Sequence, residues 1–147
     1  DRAMLASHVA DLVDRFLPDH EVQDAVFRLF NLARESLMAD CPLDLARCYF
    51  EVWMLRLAGV FPDFFRCSLC GKQLGPDESR VFLAGLTRMA CHRCGHGRGT
   101  EVPSDTVDAL HWIVTKSLNS EESPPNAAGM QHIQQLNKIW IDHYFER

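Results

Sequence analysis

Apolar residues recur along most of this chain at steps of three and four, the spacing that gathers them on one face of an α-helix. Over residues 4–17 the stripe is Leu5, Val9, Leu12, Val13, Phe16 and Leu17, and Pro18-Asp19 ends it. A second helix is predicted over 22–38, with Val26, Leu29, Phe30, Ala33 and Leu37 on one side and Arg28 and Arg34 mostly off that stripe. Cys41-Pro42 breaks the chain again. The third predicted helix, 43–58, differs: its run CYFEVWMLRLAGV is apolar nearly all round, as in a central helix covered on several faces, and Gly59 is a natural stop. A fourth helix is predicted to start with Ser104 as its cap and carries Val107, Leu110, Val114 and Leu118. The stretch NSEESPPNAAG is polar and proline-bearing and is the best candidate for disorder. A last helix, 130–145, places Ile133, Leu136, Trp140 and Tyr144 on one face.

Between the third and fourth helices the helical period vanishes and Gly, Cys and Pro take over. This segment, 64–99, reads as an inserted module, with RVFL (80–83) and TRMA (87–90) as two short strands joined at Gly85. The predicted fold is mainly α: a bundle of about five helices with an inserted four-cysteine zinc finger carrying a short β-hairpin. At 147 residues the chain is the size of one domain and can bury a sizeable core. No apolar run approaches the ~20 residues that span a bilayer. The opening DRAMLASHVADLVDRF mixes acids into its apolar positions, which argues against a signal peptide or membrane anchor. The chain starts directly in a helix pattern without an initiator Met, as expected of a fragment lacking its N-terminal part.

Four of the six cysteines form two C-x-x-C pairs, Cys67/Cys70 and Cys91/Cys94, each followed by a glycine, Gly71 or Gly95. Each pair bends the chain so that two sulfurs face one point, and two such knuckles supply the tetrahedron of thiolates that zinc accepts. One structural zinc ion is expected, in a reducing, intracellular setting. A redox motif would need a single C-x-x-C at a strand–helix junction, and iron–sulfur clusters favour other spacings. Four thiolates close the coordination shell, which argues against a catalytic metal. His92 and His96 are alternative ligands by position, though exposure within a basic patch is the simpler reading. A module of about 35 residues is too small for a core of its own, and zinc would take the place of one.

Charge is uneven. Residues 66–98 carry six basic residues and two acids, net +4, while the rest of the chain is −9. A basic module on an acidic body suggests two partner surfaces. Arg66, Lys72, Arg88, Arg93 and Arg98 are candidate contacts for DNA phosphates, although exposed fingers are also basic simply because they are solvated. Trp53, Trp112 and Trp140 lie among apolar neighbours and read as core more than as base-stacking residues, and His111 and His143 follow the same logic. Cys48, without a C-x-x-C partner like Cys41, reads as a small core residue. No nucleophile–base pair, phosphate-cradling glycine loop or catalytic carboxylate pair is recognisable, so the chain reads as non-enzymatic.

The run FEVWMLRLAGVFPDFFRCSLCG, from Phe50-Glu51 through Gly59 and Pro62 to Cys67-x-x-Cys70-Gly71, resembles the F-E-x-x-L-L-x-x-x-G-x-x-P-x-x-x-x-C-x-x-C-G pattern of the RecO family of bacterial DNA repair and recombination mediators. VADLVDRFLPDH is similar to that family's opening helix of this region, and IWIDHYFER to its closing segment. The resemblance covers most of the chain. It implies an N-terminal OB-fold, absent here, as the principal DNA-binding part. It also implies a cytoplasmic, nucleoid-associated role in the RecF pathway, with RecR as partner, in strand annealing and recombinase loading. A further implied partner is the acidic, apolar C-terminal tail of the single-stranded-DNA-binding protein, docking on the helices. A groove between the second and third helices, with Arg34, Arg47 and Arg56 as candidate anchors, would suit such a tail. The alternatives are a zinc-stapled scaffold that binds only protein and, from a third class, an enzyme with a redox or metal centre.

Overall fold

The computed structural model describes residues 2–16, 28, 31–32, 34–35, 42–83, 88–116, 118 and 123–145. In chain order these form α1 (Arg2–Phe16), α2 (Leu43–Leu57), β1 (Arg80–Leu83), β2 (Met89–Cys91), a single-turn α3 (His92–Gly95), β3 (Gly99–Glu101), α4 (Ser104–Thr115) and α5 (Ala127–Phe145). The fold is mainly α, with one small antiparallel sheet, as the apolar periodicity predicts. Most of the predicted second helix lies outside the described residues, including Val26, Leu29, Phe30, Ala33 and Leu37; its described residues 28, 31, 32, 34 and 35 are helical.

Burial follows the stripes. Leu5, Val9 and Leu12 of α1 are buried, and so are Val107 and Leu110 of α4 and Ile133, Leu136 and Trp140 of α5. α2 buries nine of its 15 residues, which makes it the central helix its all-round apolar run predicts. It ends in a Schellman arrangement. Gly59, at φ +74°, donates to Arg56 O at 3.0 Å, and Val60 donates to Leu55 O at 3.0 Å.

α2 also carries a buried acid. Glu51 is 3% exposed, and donors from three helices surround its carboxylate. His8 Nε2 of α1 lies 2.8 Å from Oε2, Arg47 Nε donates to Oε2 at 3.5 Å, and Asn137 Nδ2 of α5 donates to Oε1 at 3.4 Å. Oδ1 of Asn137 is buried without a hydrogen-bond partner among the described residues.

Two helix starts differ from the sequence reading. Pro103, not Ser104, occupies the cap position of α4, without a side-chain cap; its carbonyl already accepts from Thr106 and Val107 N–H at 3.1 and 3.2 Å. α5 begins at Ala127, not 130, because Asn126 Oδ1 accepts from Ala128 N and Gly129 N at 2.8 and 3.1 Å, a side-chain N-cap. The loop read as a disorder candidate is therefore partly helix. Its Ser123 carbonyl accepts from the Trp112 indole at 2.9 Å, while 119–122 lie outside the described residues.

The sheet has strand order β2-β1-β3. The predicted strand 80–83 is β1. The second strand is Met89–Cys91, not 87–90, since its register pairs Arg80 with Cys91 and Phe82 with Met89; Gly85 lies outside the described residues. β3 was not predicted: Gly99-Thr100-Glu101 is wholly exposed and has no apolar residue to give a period.

β1 is buried at all four positions, because both of its faces are covered. Phe82 points to an aromatic group made of Phe61, Phe64 and Trp140, with ring centroids 5.4 Å apart for Phe61–Phe64, 5.2 Å for Phe64–Phe82 and 5.1 Å for Phe61–Trp140. On the other face Val81 packs against Gly95. Phe64→Ala is expected to lower the unfolding free energy by about 3–5 kcal/mol in urea denaturation. Ile139→Ser, at a position 48% exposed, should change it by less than about 0.5 kcal/mol.

Candidate metal centre and charged surfaces

The first knuckle is the tip of a small hairpin. Leu74 N donates to Phe65 O at 2.8 Å, Arg66 and Gln73 form a bridge, and Cys67 N donates to Lys72 O at 2.9 Å. Gly71 turns the chain with φ +78°, and its N–H returns to Cys67 O at 2.9 Å. The second knuckle starts at the end of β2 and continues through α3, where Cys94 N donates to Cys91 Sγ at 3.4 Å. The two glycines therefore serve different ends. Gly71 supplies a backbone angle, whereas Gly95 supplies room: a Cβ there would lie 2.9 Å from Val81 Cβ and 3.0 Å from Ala90 Cβ. Ser68 N donates to Met89 O at 2.8 Å and ties the first knuckle to β2.

These turns bring the sulfurs of Cys67, Cys70, Cys91 and Cys94 within 4.8 Å of one another, a group that could hold a metal ion. Cys70 and Cys91 Sγ are 3.9 Å apart. A tetrahedron of sulfurs each about 2.3 Å from a zinc ion has an edge of about 3.8 Å. Disulfide sulfurs would be about 2.05 Å apart, and the cysteines here are free thiols. Cys67 and Cys91 are buried, Cys94 is half-buried and Cys70 exposed. Burial opposes ionisation of Cys67, but N–H groups of Cys91, Cys70 and Leu69 outweigh it and bring the pKa down to about 6. Hydrogen bonding to the Cys91 and Cys70 side chains pushes Cys94 up to about 12. Crowded thiols resist ionising together, and a divalent cation among them removes that resistance.

His92 and His96 stand beside the cluster, both exposed, with rings 5.3 Å apart; His92 Nδ1 lies 4.0 Å from Glu101. Cys48 is a core residue, fully buried, and burial above all raises its pKa. Cys41 lies outside the described residues. Trp112 and Trp140 are buried and Trp53 is half-buried, its indole donating to Ile113 O at 3.2 Å. His111 is half-buried with its edge on Phe65, but His143, read as core, is exposed in the last turn of α5.

Arg66, Lys72, Arg88, Arg93 and Arg98 are all exposed. Lys72 Nζ pairs with Glu78 at 2.9 Å, and Lys72 and Arg93 line the same hollow beside Cys70 and Cys94. Arg80, counted in the basic charge of the module, is not on its surface: it is 1% exposed. No charge tally distinguishes it from the others.

Arg34, Arg47 and Arg56 are exposed. Arg56 lies over the Trp53 ring at 4.9 Å, and Arg47 leans on Glu51. Nine residues apart on one helix, Arg47 and Arg56 sit about 13 Å apart along its axis and roughly half a turn around it. They do not share a face. The expected groove beside the second predicted helix involves residues outside those described. A groove of mixed charge among the described residues runs between α1, α2 and α5: Arg47, Arg15, Lys138 and His8 line it together with Asp11, Glu51 and Asp142, with Gln131 and Gln134 beside them, over Leu12 and Ile141. No sequence signal pointed to it, because its three helices are distant in the chain. Among the described residues no helix is long and apolar enough to cross a membrane.

Fold and site together define a helical domain with a pair of cysteine knuckles, able to hold a metal ion, on a small sheet between α2 and α4. More specifically, the chain belongs to the family described as Recombination protein O C terminal, whose model matches residues 1–147. It is similar to the DNA repair protein RecO of Koribacter versatilis (strain Ellin345), 44% identical over 85 residues, 58% of this chain and 33% of that protein. It is also similar to RecO of Anaeromyxobacter sp. (strain K), 29% identical over 150 residues, and of Anaeromyxobacter dehalogenans (strain 2CP-C), 31% identical over 149, each match covering 99% of this chain and 58% of the relative. The chain thus spans a little over half the length of the relatives it matches end to end.

Elemental analysis is expected to find one metal ion per chain. Chelation should then make Cys67, Cys70, Cys91 and Cys94 alkylate together in peptide-mapped labelling, with Cys48 unlabelled before and after.

Proposed function

We propose that this chain is the C-terminal part of a bacterial DNA repair and recombination mediator. In this reading one structural zinc, held by Cys67, Cys70, Cys91 and Cys94, shapes a finger on a helical body. The observation that carries the reading is the family match over all 147 residues, together with four sulfurs gathered at zinc-like spacing. Four thiolates leave zinc no open position for water or substrate, so the domain binds and does not catalyse. The whole protein works in the cytoplasm at the nucleoid, with RecR, in annealing and recombinase loading, and binds DNA mainly through an OB-fold ahead of this region.

Within this piece, Arg66, Arg88, Arg93 and Arg98 contact phosphates from the finger, with Lys72 tempered by Glu78. They are exposed, and none has an ion-pair partner among the described residues. The helices take the acidic, apolar C-terminal tail of the single-stranded-DNA-binding protein. Arg34, Arg47 and Arg56 remain its candidate anchors, and Arg47 is the one that lines a described groove. Its neighbours offer Gln131 and Gln134 for a backbone and Leu12 and Ile141 for apolar side chains, while Arg15 and Arg47 already pair with Asp11 and Glu51, so a tail carboxylate has to compete for them.

One observation favours a second reading, a zinc-stapled scaffold that binds only protein. A zinc ion with four thiolates carries net −2, which lowers the finger from its formal +4 to +2. Fluorescence anisotropy on a single-stranded oligonucleotide separates the two. The mediator reading expects salt-sensitive binding, and replacing Arg66, Arg88, Arg93 and Arg98 with Gln should flatten the log–log salt slope by about 0.7 per lost phosphate contact. Absence of any salt-dependent binding would favour the scaffold. For the tail, charge reversal at Arg34, Arg47 and Arg56 together should weaken an acidic tail peptide about tenfold or more; unchanged affinity would sink the groove assignment.

A further inference from the structure

The least exposed charge in the described chain is Arg80, at the start of β1. Its guanidinium donates to Phe64 O, to Gly75 O and, through Nε and Nη2 at 3.2 and 2.9 Å, to Glu78 O. It also lies 5.4 Å from the Phe65 ring centroid. Phe64 precedes the first knuckle, and Gly75 and Glu78 follow it. One side chain therefore holds both ends of the hairpin that presents Cys67 and Cys70. The backbone of the same residue is registered opposite Cys91, the first cysteine of the second knuckle. Each half of the cysteine cluster is thus referred to a single residue.

The chemistry fits a positioning role better than a charge-pairing one. The adjacent acid, Glu78, is exposed and its carboxylate pairs with Lys72. Arg80 is satisfied instead by carbonyl dipoles and an aromatic face. A buried guanidinium without a buried counter-ion is costly, and a long apolar side chain would fill the space more cheaply. Only the planar five-donor fork can bind three separated carbonyls at once.

We infer that Arg80 is a positioning residue for the metal centre: its fork locks the first cysteine pair in register with the second, and so sets metal affinity without touching the metal. The inference rests on the reading that the four cysteines bind zinc.

The test compares the unmodified chain with Arg80→Met, Arg80→Lys and, as a control for general destabilisation, Val107→Ala in the core of α4. Zinc affinity is read by competition with a chromophoric chelator, and site geometry by the visible spectrum of the cobalt-substituted protein. The unmodified chain should give a tetrahedral tetrathiolate cobalt spectrum. Arg80→Met should bind zinc about tenfold or more weakly, the scale on which outer-shell partners of metal ligands act, with a weakened cobalt band. Arg80→Lys, whose ammonium cannot span the three carbonyls, should also lose affinity. Val107→Ala should leave both readouts unchanged. Wild-type affinity and spectrum in Arg80→Met overturn the inference, and if that variant does not fold, the same result in Arg80→Lys overturns it. An equal loss in Val107→Ala also overturns it, since the effect would then be general. Failure of the unmodified chain to bind zinc or cobalt would instead overturn the metal reading itself.

Discussion

The ring of Phe64 packs against Phe61 and Phe82 and faces Trp140 of α5 at 6.2 Å, and this contact decides how finger and helices are related. The sheet has strands of four, three and three residues. So small a sheet cannot bury a core alone. It instead lends Phe82 and Met89, paired on its inner face, to the helical core. Edge-on aromatic contacts of this sort contribute about 0.5–1.5 kcal/mol each beyond the area they bury. The expectation that a metal substitutes for a missing core is therefore only half of the account. The aromatic group fastens the base of the module. A metal held by the cysteines would fasten its outer end, where Cys70 is exposed and Cys94 half-buried.

The helical side depends on a different constraint. α2 is buried around most of its circumference, and an apolar cylinder fixes no particular rotation of its neighbours. Glu51 does. Its carboxylate meets His8 of α1 on one oxygen and Asn137 of α5 on the other. A rotation or slide of either helix would strand a buried polar group, at a cost of about 1–3 kcal/mol. Specificity of packing thus comes from the one acid in the middle of the helix, and the groove above it is a consequence of that arrangement, since Glu51 and Arg47 form part of its wall.

How much of this was legible in the sequence varies with the kind of signal. The cysteine cluster was readable because C-x-x-C spacing alone dictates two sulfurs per turn. α2 was readable because its apolar run has no polar face. By contrast β3 has no apolar residue, and its place comes wholly from backbone pairing with Val81, Phe82 and Leu83. Asn126 looked like part of a polar loop, since an N-cap is recognised by the helix behind it and Gly129 obscured that helix. Arg80 was legible only as one of six positive charges over 66–98 and was not among the candidate phosphate contacts. Arginine is usually exposed, and nothing in the sequence marks this one as buried. Three carbonyls, distant from it in no obvious pattern, decide otherwise. Glu51 was noticed only as half of a family motif, and its role became visible with the helices that surround it.

Charge and shape work against each other in the finger. In the proposed reading, bound zinc with four thiolates brings −2, whereas the empty cluster brings about −1 near neutral pH, from Cys67 with its pKa of about 6. Metal loading would therefore make the finger less positive than the empty cluster leaves it, and would bring the formal +4 down to +2. If attraction to phosphates were the only requirement, an empty cluster would serve better. On the proposed reading, zinc makes sense only where the arrangement of Arg66, Arg93 and Arg98 matters more than their sum. Arg66 is tied to the first knuckle, Arg93 stands inside the second, and Arg98 donates its N–H to Gly95 O just beyond it at 2.9 Å. Each takes its position from a turn that the cysteines close. In that reading the metal would trade charge for fixed directions, the exchange expected of a surface that has to fit a partner rather than merely attract one.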